Sequence, residues 1–189
     1  MNQLDSLLAL AALDRLPRTG WLQHGVQPCE SIAGHIVGVA HLCLLLGPAE
    51  QATLDLSRLM SMALLHDAPE ARTGDLPRPA SRHLPAGAKR QMEAGVAGEL
   101  LAPFSESVLE SWKEYDEGQT AEAHFVRICD RLQLGLCLLG YLRSGYKDLR
   151  DFQHGLMELD CSEFPGLQRL HVELMASIAD AFGDDAATD

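Results

Sequence analysis

The sequence is poor in basic residues. It has 15 Lys and Arg against 27 Asp and Glu, which gives a formal net charge of −12 at pH 7. A broad basic surface that binds a nucleic-acid polymer through its phosphates is therefore not expected, because the field of such an acidic protein repels the polymer. A small anionic ligand is compatible with this charge if a metal ion or a few well-placed arginines supply positive charge locally.

Long hydrophobic runs are missing close to the N-terminus. The longest uncharged apolar stretch there, Ser6 to Leu13, lies between Asp5 and Asp14. It is far shorter than the ~18 residues that a membrane helix needs. The segment also lacks the basic region and the cleavage site of a signal peptide. We therefore expect no signal peptide and no association with a membrane.

No two cysteines have the CxxC spacing of a redox or zinc motif. The five cysteines are Cys29, Cys43, Cys129, Cys137 and Cys161. Their odd number and irregular spacing favour reduced thiols over a disulfide framework. We therefore expect a cytoplasmic protein.

Alternating polar and apolar residues, which are typical of strands, are absent over any strand length, whereas Leu and Ala recur at helical spacing. Helices are predicted at residues 4–11, 31–46, 54–66, 88–102, 104–116, 120–143, 147–158 and 166–182. A loop is predicted over 18–30, with Ser31 as the N-cap of the helix that follows. The sequence predicts an all-α, single-domain helical bundle over residues 1–183. The acidic tail, residues 184–189, is expected to be disordered.

A histidine and a carboxylate stand side by side where the apolar helical run LMSMALLHDAPE breaks. They are His66 and Asp67. Burying such a pair costs free energy unless another group binds it and compensates its charge. A metal ion is one such group, because the cation compensates the carboxylate charge and a neutral imidazole donates an electron pair.

Two further ionisable residues, His35 and Asp130, lie on apolar helix faces. The residues four, seven and eleven positions after each of them are apolar or aromatic. A lone histidine in such a position is more often a hydrogen-bonded core residue, and a lone inward aspartate is often a cap or an ion-pair partner. The occurrence of all these residues on three helical segments favours a shared metal site.

In order along the chain, His35, His66, Asp67 and Asp130 resemble the ligand pattern of the HD-domain superfamily of metal-dependent phosphohydrolases. The RTGW segment that begins at Arg18, and the segments HDAPEARTGDLP and WKEYDEGQTAEAHFVRICDRL, are similar to the branch that contains the 5′-deoxynucleotidases. The resemblance implies an all-helical fold and one divalent metal held by those four residues. It also implies hydrolysis of (deoxy)ribonucleoside 5′-monophosphates, small-molecule substrates, by a homodimer.

The proposed ligand set also limits the metal. Two imidazoles and two carboxylates nominally neutralise a divalent ion, and their mixture of nitrogen and oxygen suits Mn, Co, Fe, Ni or Zn better than Ca or Mg.

Glu70 follows His66 by four residues and Asp67 by three, so a continued helix places it on their side. The resemblance gives this glutamate a catalytic role on the attacking water. An ordinary helix-end carboxylate is the alternative.

Five residues are candidates for binding the substrate. Arg18 offers a bidentate fork to a phosphate, and Trp21 is either a stacking surface for sugar or base or a core anchor. By resemblance, Asp75 acts on the sugar and in leaving-group chemistry; the alternative is that it caps a turn. Lys89, like Arg78, is a candidate phosphate contact.

Two other functions fit the same residues. The first is a different HD-domain enzyme, either another nucleotide phosphohydrolase or a dinuclear oxygenase that uses extra histidines such as His83 and His124. His83 lies in a proline-rich stretch and His124 is turned away from the face of Asp130, which favours a single metal. The second is a catalytically silent metal- or ligand-binding module, which has no need of Glu70.

Overall fold

The structure, a computed structural model, describes residues 1–50 and 53–183, and it contains no β-strand within these ranges. The helices are α1 (Gln3–Ala11), α2 (Thr19–Gln23), α3 (Ile32–Leu46), α4 (Leu56–Leu65), α5 (Glu70–Thr73), α6 (Arg78–Ser81), α7 (Ala88–Leu101), α8 (Glu106–Glu117), α9 (Ala121–Arg143), α10 (Asp151–Met157) and α11 (Pro165–Phe182). The predicted all-α class is confirmed. The tail at 184–189 lies outside the described residues.

Three short helices, α2, α5 and α6, were not predicted, because four or five residues are too few to show a helical period. The first of them lies inside the predicted loop 18–30. The two ends of that segment are held together by backbone hydrogen bonds, from Arg18 N–H to the Glu30 carbonyl at 3.1 Å and from Ile32 N–H to the Leu16 carbonyl at 2.8 Å. The segment is therefore an ordered strap in front of α3.

The main core lies between α3, α4, α9 and α11. Phe125 on α9 meets Phe164 edge-to-face, with ring centroids 5.0 Å apart, and Leu59 and Met62 of α4 are fully buried beside them. A smaller cluster around Trp112 joins α7 and α8 to the segment after α4. Close packing on both sides of α4 fixes the position of its C-terminal end.

The first helix buries a different face from the one that its sequence suggests. Leu4, Leu7 and Leu8 are exposed, whereas Ser6 is fully buried and Leu10 packs against the smaller cluster. The helix itself is where the periodicity predicts it. An apolar stripe indicates a helix, but only the tertiary packing decides which face is covered.

One described segment, Ile32–Ala49, is long and apolar enough by length and composition to cross a membrane, with a mean hydropathy of 1.7. It lies further along the chain than the short apolar stretch from Ser6 to Leu13. One face of this segment, including Val39 and Cys43, is packed in the core, and the other exposes Val37 and Leu45. A core helix passes the same test, so the absence of membrane association stays a prediction, as does a cytoplasmic location.

Candidate metal centre and active site

Three helical segments bring together the four side chains that are predicted to bind a metal. His35 lies in the first turn of α3, His66 is the C-cap of α4 with Asp67 next to it, and Asp130 lies within α9. The separations are 3.0 Å from His35 Nε2 to Asp130 Oδ1, 3.3 Å from His66 Nε2 to His35 Nε2, 3.3 Å from His66 Nε2 to Asp67 Oδ2 and 3.6 Å from His35 Nε2 to Asp67 Oδ2.

These separations fit donors arranged around one ion. Two donors about 2.1 Å from a tetrahedral metal lie about 3.4 Å apart. The ligand atoms of His35, His66 and Asp130 all lie within 4.8 Å of one another, and Asp67 Oδ2 approaches both imidazoles. Both histidines are buried, so a cation held here is largely shielded from solvent.

The electrostatics of the cluster favour positive charge at its centre. Burial opposes a charge on His66, but the charge and hydrogen bond of Asp67 outweigh it and raise the pKa of His66 to about 9. Burial likewise opposes ionisation of Asp130, yet the hydrogen bond and charge of His35 lower the pKa of Asp130 to about 2. A divalent ion at the same place balances the negative charge of the two carboxylates, so the imidazoles need no extra proton.

The outer nitrogens of both imidazoles are already engaged. His66 Nδ1 lies 2.8 Å from the Ala63 carbonyl, to which it can only donate. His35 Nδ1 lies 2.5 Å from the side-chain oxygen Oε1 of Gln133. In the neutral imidazole that binds a metal ion, a proton on Nδ1 leaves the lone pair on Nε2, the nitrogen that faces the centre of the cluster in both rings.

Glu70 begins α5 immediately beyond the ligand pair and is buried. Its Oε2 atom has no hydrogen-bond partner among the described residues. Burial, followed by the charges of Asp67 and Asp75, raises the pKa of Glu70 to about 9. A buried, unpartnered carboxylate oxygen beside a cation-binding cluster is well placed to contact a water molecule or a ligand.

A pocket of about 350 Å³ opens onto this cluster, a volume suited to a small-molecule ligand. Its lining includes Arg18, Trp21, Asp67, Glu70, Asp75, Lys89 and Asp130, together with Leu134, Phe152 and Gly155. The guanidinium of Arg18 lies at its inner end, with Nη1 3.7 Å from Asp67 Oδ2. The structure therefore brings the predicted substrate residues and two of the predicted ligands, Asp67 and Asp130, into the lining of one cavity.

Asp75 joins the pocket rim to the strap in front of α3. Its Oδ2 accepts a hydrogen bond from the Thr19 backbone N–H at 2.5 Å, and its backbone carbonyl accepts one from Thr19 Oγ1 at 3.0 Å. Gly74, at φ 73°, provides the left-handed conformation that turns the chain towards α2. Asp75 thus has a structural bond as well as its place in the pocket lining.

Trp21 is only 1% exposed. Its ring stacks on Phe152 with centroids 3.9 Å apart, and its Nε1–H donates to Glu30 Oε1 at 2.9 Å. This placement favours the core-anchor interpretation over direct stacking on a substrate. The tryptophan backs the pocket wall, and Phe152 lies in that wall beside it.

Lys89 lies at the outer edge of the pocket, on α7. Its Nζ is 3.2 Å from Glu93 Oε1, and its side chain is 40% exposed. Burial lowers the pKa of Lys89, but the charge of Glu93 outweighs it, so the pKa is raised and the lysine stays cationic. Arg78 lines the same pocket close to Gly155.

The histidines considered for a second metal lie elsewhere. His83 is exposed in the turn after α6. His124 is exposed, with Nδ1 3.0 Å from Glu163 Oε2 and Nε2 2.9 Å from the Gly118 carbonyl. Neither joins the cluster of His35, His66 and Asp130.

Sequence reasoning missed Gln133 and assigned no role to Glu30. Gln133 is buried, and it follows Asp130 by three residues, a spacing that places it on the same face of α9. That spacing could have identified Gln133 as a neighbour of the predicted ligand Asp130. Phe152 carried no signal, because α10 reaches the pocket only through the tertiary fold.

Comparisons with known proteins agree with this geometry. The family model of the HD domain matches residues 10–159. The chain is 31% identical over 166 residues to a Schizosaccharomyces pombe protein named 5′-deoxynucleotidase hdd1, covering 80% of this chain and 82% of that one. It is 32% identical over 152 residues to bovine 5′-deoxynucleotidase HDDC2, covering 79% and 70%. A solved structure from Pyrococcus horikoshii OT3 superposes with a TM-score of 0.79 at 32% identity, covering 92% of this chain and 99% of the other.

Proposed function

The chain belongs to the HD domain family, and from that premise we propose that it is a metal-dependent phosphohydrolase that releases phosphate from deoxyribonucleoside 5′-monophosphates. One observation carries the proposal: a group of His35, His66 and Asp130 that could hold a metal ion adjoins a pocket whose lining includes Asp67, Asp130, the buried Glu70 and Arg18. The names of relatives that are about 31% identical over most of their length support the substrate class.

The proposed metal ligands are His35, His66, Asp67 and Asp130, and we propose Mn, Co, Fe, Ni or Zn as the ion. When bound there, a divalent ion supplies positive charge for the phosphoryl oxygens and acidifies water. It also offsets the negative charge of Asp67, which otherwise raises the pKa of Glu70.

Hydrolysis of a phosphate monoester replaces the bond from phosphorus to O5′ by a bond to a water oxygen. The attacking water must lose a proton, and the departing O5′ must gain one. Glu70 carries the unpartnered oxygen Oε2 beside the ligand cluster, so in its ionised form it is positioned to take the proton from the water and pass it on towards the leaving group.

Arg18 and Asp75 orient the two ends of the substrate in this proposal. The Arg18 guanidinium stays cationic beside Asp67 and offers its donors to the phosphate at the inner end of the pocket. Asp75 lies further out and is a hydrogen-bond acceptor for a sugar hydroxyl. Phe152 and Leu134 provide apolar wall for the remainder of the nucleoside, and we expect weak selection among the bases.

A screen of phosphate release tests the proposal. The purified chain is freed of metal, reloaded with each divalent ion in turn, and incubated with the four deoxyribonucleoside 5′-monophosphates, a matched 3′-monophosphate and a phosphodiester. We expect release from the 5′-monophosphates with Mn²⁺ or Co²⁺, weak dependence on the base, and little release from the other two classes. No release from any 5′-monophosphate by fully loaded protein contradicts the proposal and favours a different HD-domain chemistry or a silent module.

A homodimer is part of the same proposal. Val37, Leu44 and Leu45 form an exposed apolar stripe on the outer face of α3, and a second copy of the chain is the partner that we expect to cover it. Sedimentation equilibrium measures the mass directly. Leu45→Glu is expected to shift a dimer towards the monomer, whereas a wild-type chain that sediments as a monomer at all concentrations contradicts this part of the proposal.

A further inference from the structure

We propose that Glu30 is a positioning residue of the metal centre and that it acts on His35 through the side-chain amide of Gln133. The inference rests on the proposed metal site and assigns to it a chain of hydrogen bonds that reaches out to the pocket wall. His35 Nδ1 lies 2.5 Å from Gln133 Oε1, and Gln133 Nε2 donates to Glu30 Oε2 at 2.9 Å.

The chemistry of the three groups fixes the direction of every bond in the chain. A carboxylate accepts hydrogen bonds and donates none, so Glu30 requires the nitrogen end of the Gln133 amide. The oxygen end then faces His35 and can only accept, so His35 must carry its proton on Nδ1. In the neutral imidazole that binds a metal ion, the lone pair is then left on Nε2, which is the atom that faces His66 and Asp130.

Glu30 is itself held in place by several donors. Its Oε1 accepts from Trp21 Nε1–H at 2.9 Å, and its Oε2 also accepts from the Cys137 thiol at 3.1 Å. Burial, followed by the charge of Glu30, raises the pKa of Cys137 to about 12, so the thiol keeps its proton. The backbone N–H of Glu30 donates to the Tyr141 hydroxyl at 2.8 Å.

The Gln133 side chain packs closely against the backbone of α3 at Gly38. A Cβ atom at Gly38, one turn after His35 on α3, would lie 2.8 Å from Gln133 Cγ and 2.9 Å from Gln133 Nε2. Gln133 is buried and bonded at both ends, so it has little room to give way. A glycine at 38 therefore allows the amide to lie flat against α3 between Glu30 and His35.

Glu30 also connects the metal centre with the substrate pocket. The carboxylate that orients Gln133 is the one that accepts from Trp21, and the Trp21 ring stacks on Phe152 in the pocket wall. The same residue thus sets the position of a metal ligand and of an aromatic wall. This explains why a charged side chain occupies a partly buried position between α2, α3 and α9.

The test compares Glu30→Gln with the exchanged pair Glu30→Gln/Gln133→Glu. In the single variant, either end of the Gln133 amide can face residue 30, and His35 can take the tautomer that blocks Nε2. In the exchanged pair, a carboxylate at 133 accepts from His35 Nδ1–H and from the amide at 30, whose oxygen still accepts from Trp21. The same hydrogen bonds form again, with the negative charge on residue 133 instead of residue 30.

The readouts are the Co²⁺ dissociation constant, measured by competition with a chromophoric chelator, and the visible spectrum of the Co²⁺-loaded protein. We expect Glu30→Gln to weaken Co²⁺ binding about 10- to 100-fold and to change the Co²⁺ bands, and the exchanged pair to recover most of the affinity and the bands. Gly38→Ala, which displaces Gln133 without altering a polar group, should weaken binding in the same direction. Cys161→Ala, which removes a buried thiol outside this chain of hydrogen bonds, is the matched control and should bind Co²⁺ like the wild type.

Wild-type affinity and bands in a folded Glu30→Gln variant overturn the inference. If Glu30→Gln does not fold, the exchanged pair decides: recovery of folding and Co²⁺ binding supports the chain of bonds, and failure of either overturns it. A wild-type protein that binds no Co²⁺ refutes the proposed metal site instead. The two failures are therefore distinguishable without any measurement of turnover.

Discussion

The two ends of the pocket are built in different ways. At the inner end, His35 and His66 are buried, and each has its outer nitrogen bonded to the protein. At the outer end, Lys89 is 40% exposed and its ion-pair partner Glu93 lies one turn away on the same helix. The inner end lies on helices packed in the core, whereas the outer end is formed by the short helices α5 and α6, the turns beside them and the partly exposed first turn of α7.

This difference indicates where precision is needed. Metal ligands must be held within a few tenths of an ångström, and residues on packed helices with hydrogen-bonded second partners provide that precision. Groups that contact the sugar and the outer phosphate oxygens tolerate more movement. Changes at the inner end should therefore cost more than changes of similar size at the outer end, and Asp75, which is tied to Thr19, should lie between the two.

The largest effect is expected for His66→Ala. The variant removes a nitrogen ligand and leaves two carboxylates facing each other, so both metal content and phosphate release should fall by more than about 100-fold. Elemental analysis after dialysis measures the metal. His124→Ala, an exposed histidine with partners elsewhere, is the matched control. Full metal content in His66→Ala would remove this residue from the ligand set.

Glu70→Gln should separate catalysis from metal binding. The amide keeps the size of the side chain but cannot accept a proton from water, so kcat should fall about 10²- to 10⁴-fold. Metal content should stay close to that of the wild type, because Glu70 is not among the four ligands. Glu99→Gln on the exposed face of α7 is the control. Turnover at the wild-type rate would leave Glu70 as a structural carboxylate only.

The same variant has a predicted pH signature in metal-free protein. The pKa of Glu70 is about 9 in the folded state, against an ordinary value of 4.5. The folded state therefore binds this proton more tightly, and the stability that it contributes is lost as the pH rises from about 4.5 through 9. In EDTA, the Tm of Glu70→Gln minus that of the wild type should grow from pH 5 to pH 8. A difference that stays constant or shrinks contradicts the assignment.

Asp75→Ala should have an intermediate effect that depends on the substrate. We expect the KM for deoxyribonucleoside monophosphates to rise about 10-fold, the cost of one lost hydrogen bond to a sugar hydroxyl, and an aryl phosphate to be affected much less. Thr19→Ala breaks the bond to the Asp75 carbonyl but keeps the carboxylate, and so controls for loosening of the strap. Equal losses on both substrates would show that Asp75 serves the strap and not the sugar.

The contrast between the two ends also explains what could be predicted from the sequence. The proposed ligands could be identified because helical periodicity places His35 and Asp130 on apolar faces of long helices, and because His66-Asp67 interrupts an apolar run. The bond from Glu30 to Gln133 spans 103 residues, and no local pattern encodes such a contact. Trp21 was ambiguous for the same reason: the sequence marks an aromatic residue, but Phe152 and Glu30 decide which way it is used.

The smallest effect is expected for Lys89→Gln. Its side chain is 40% exposed and its ammonium is already paired with Glu93, so solvent and the ion pair both weaken its attraction for a phosphate. The KM for a deoxyribonucleoside monophosphate should rise about 2- to 5-fold with kcat unchanged, an effect of the size that exposed charges usually have. Added salt should reduce the difference between variant and wild type, because exposed charges are screened. A loss in kcat as large as that of Glu70→Gln would place Lys89 at the reacting phosphate and remove the distinction between a rigid inner end and a tolerant outer end.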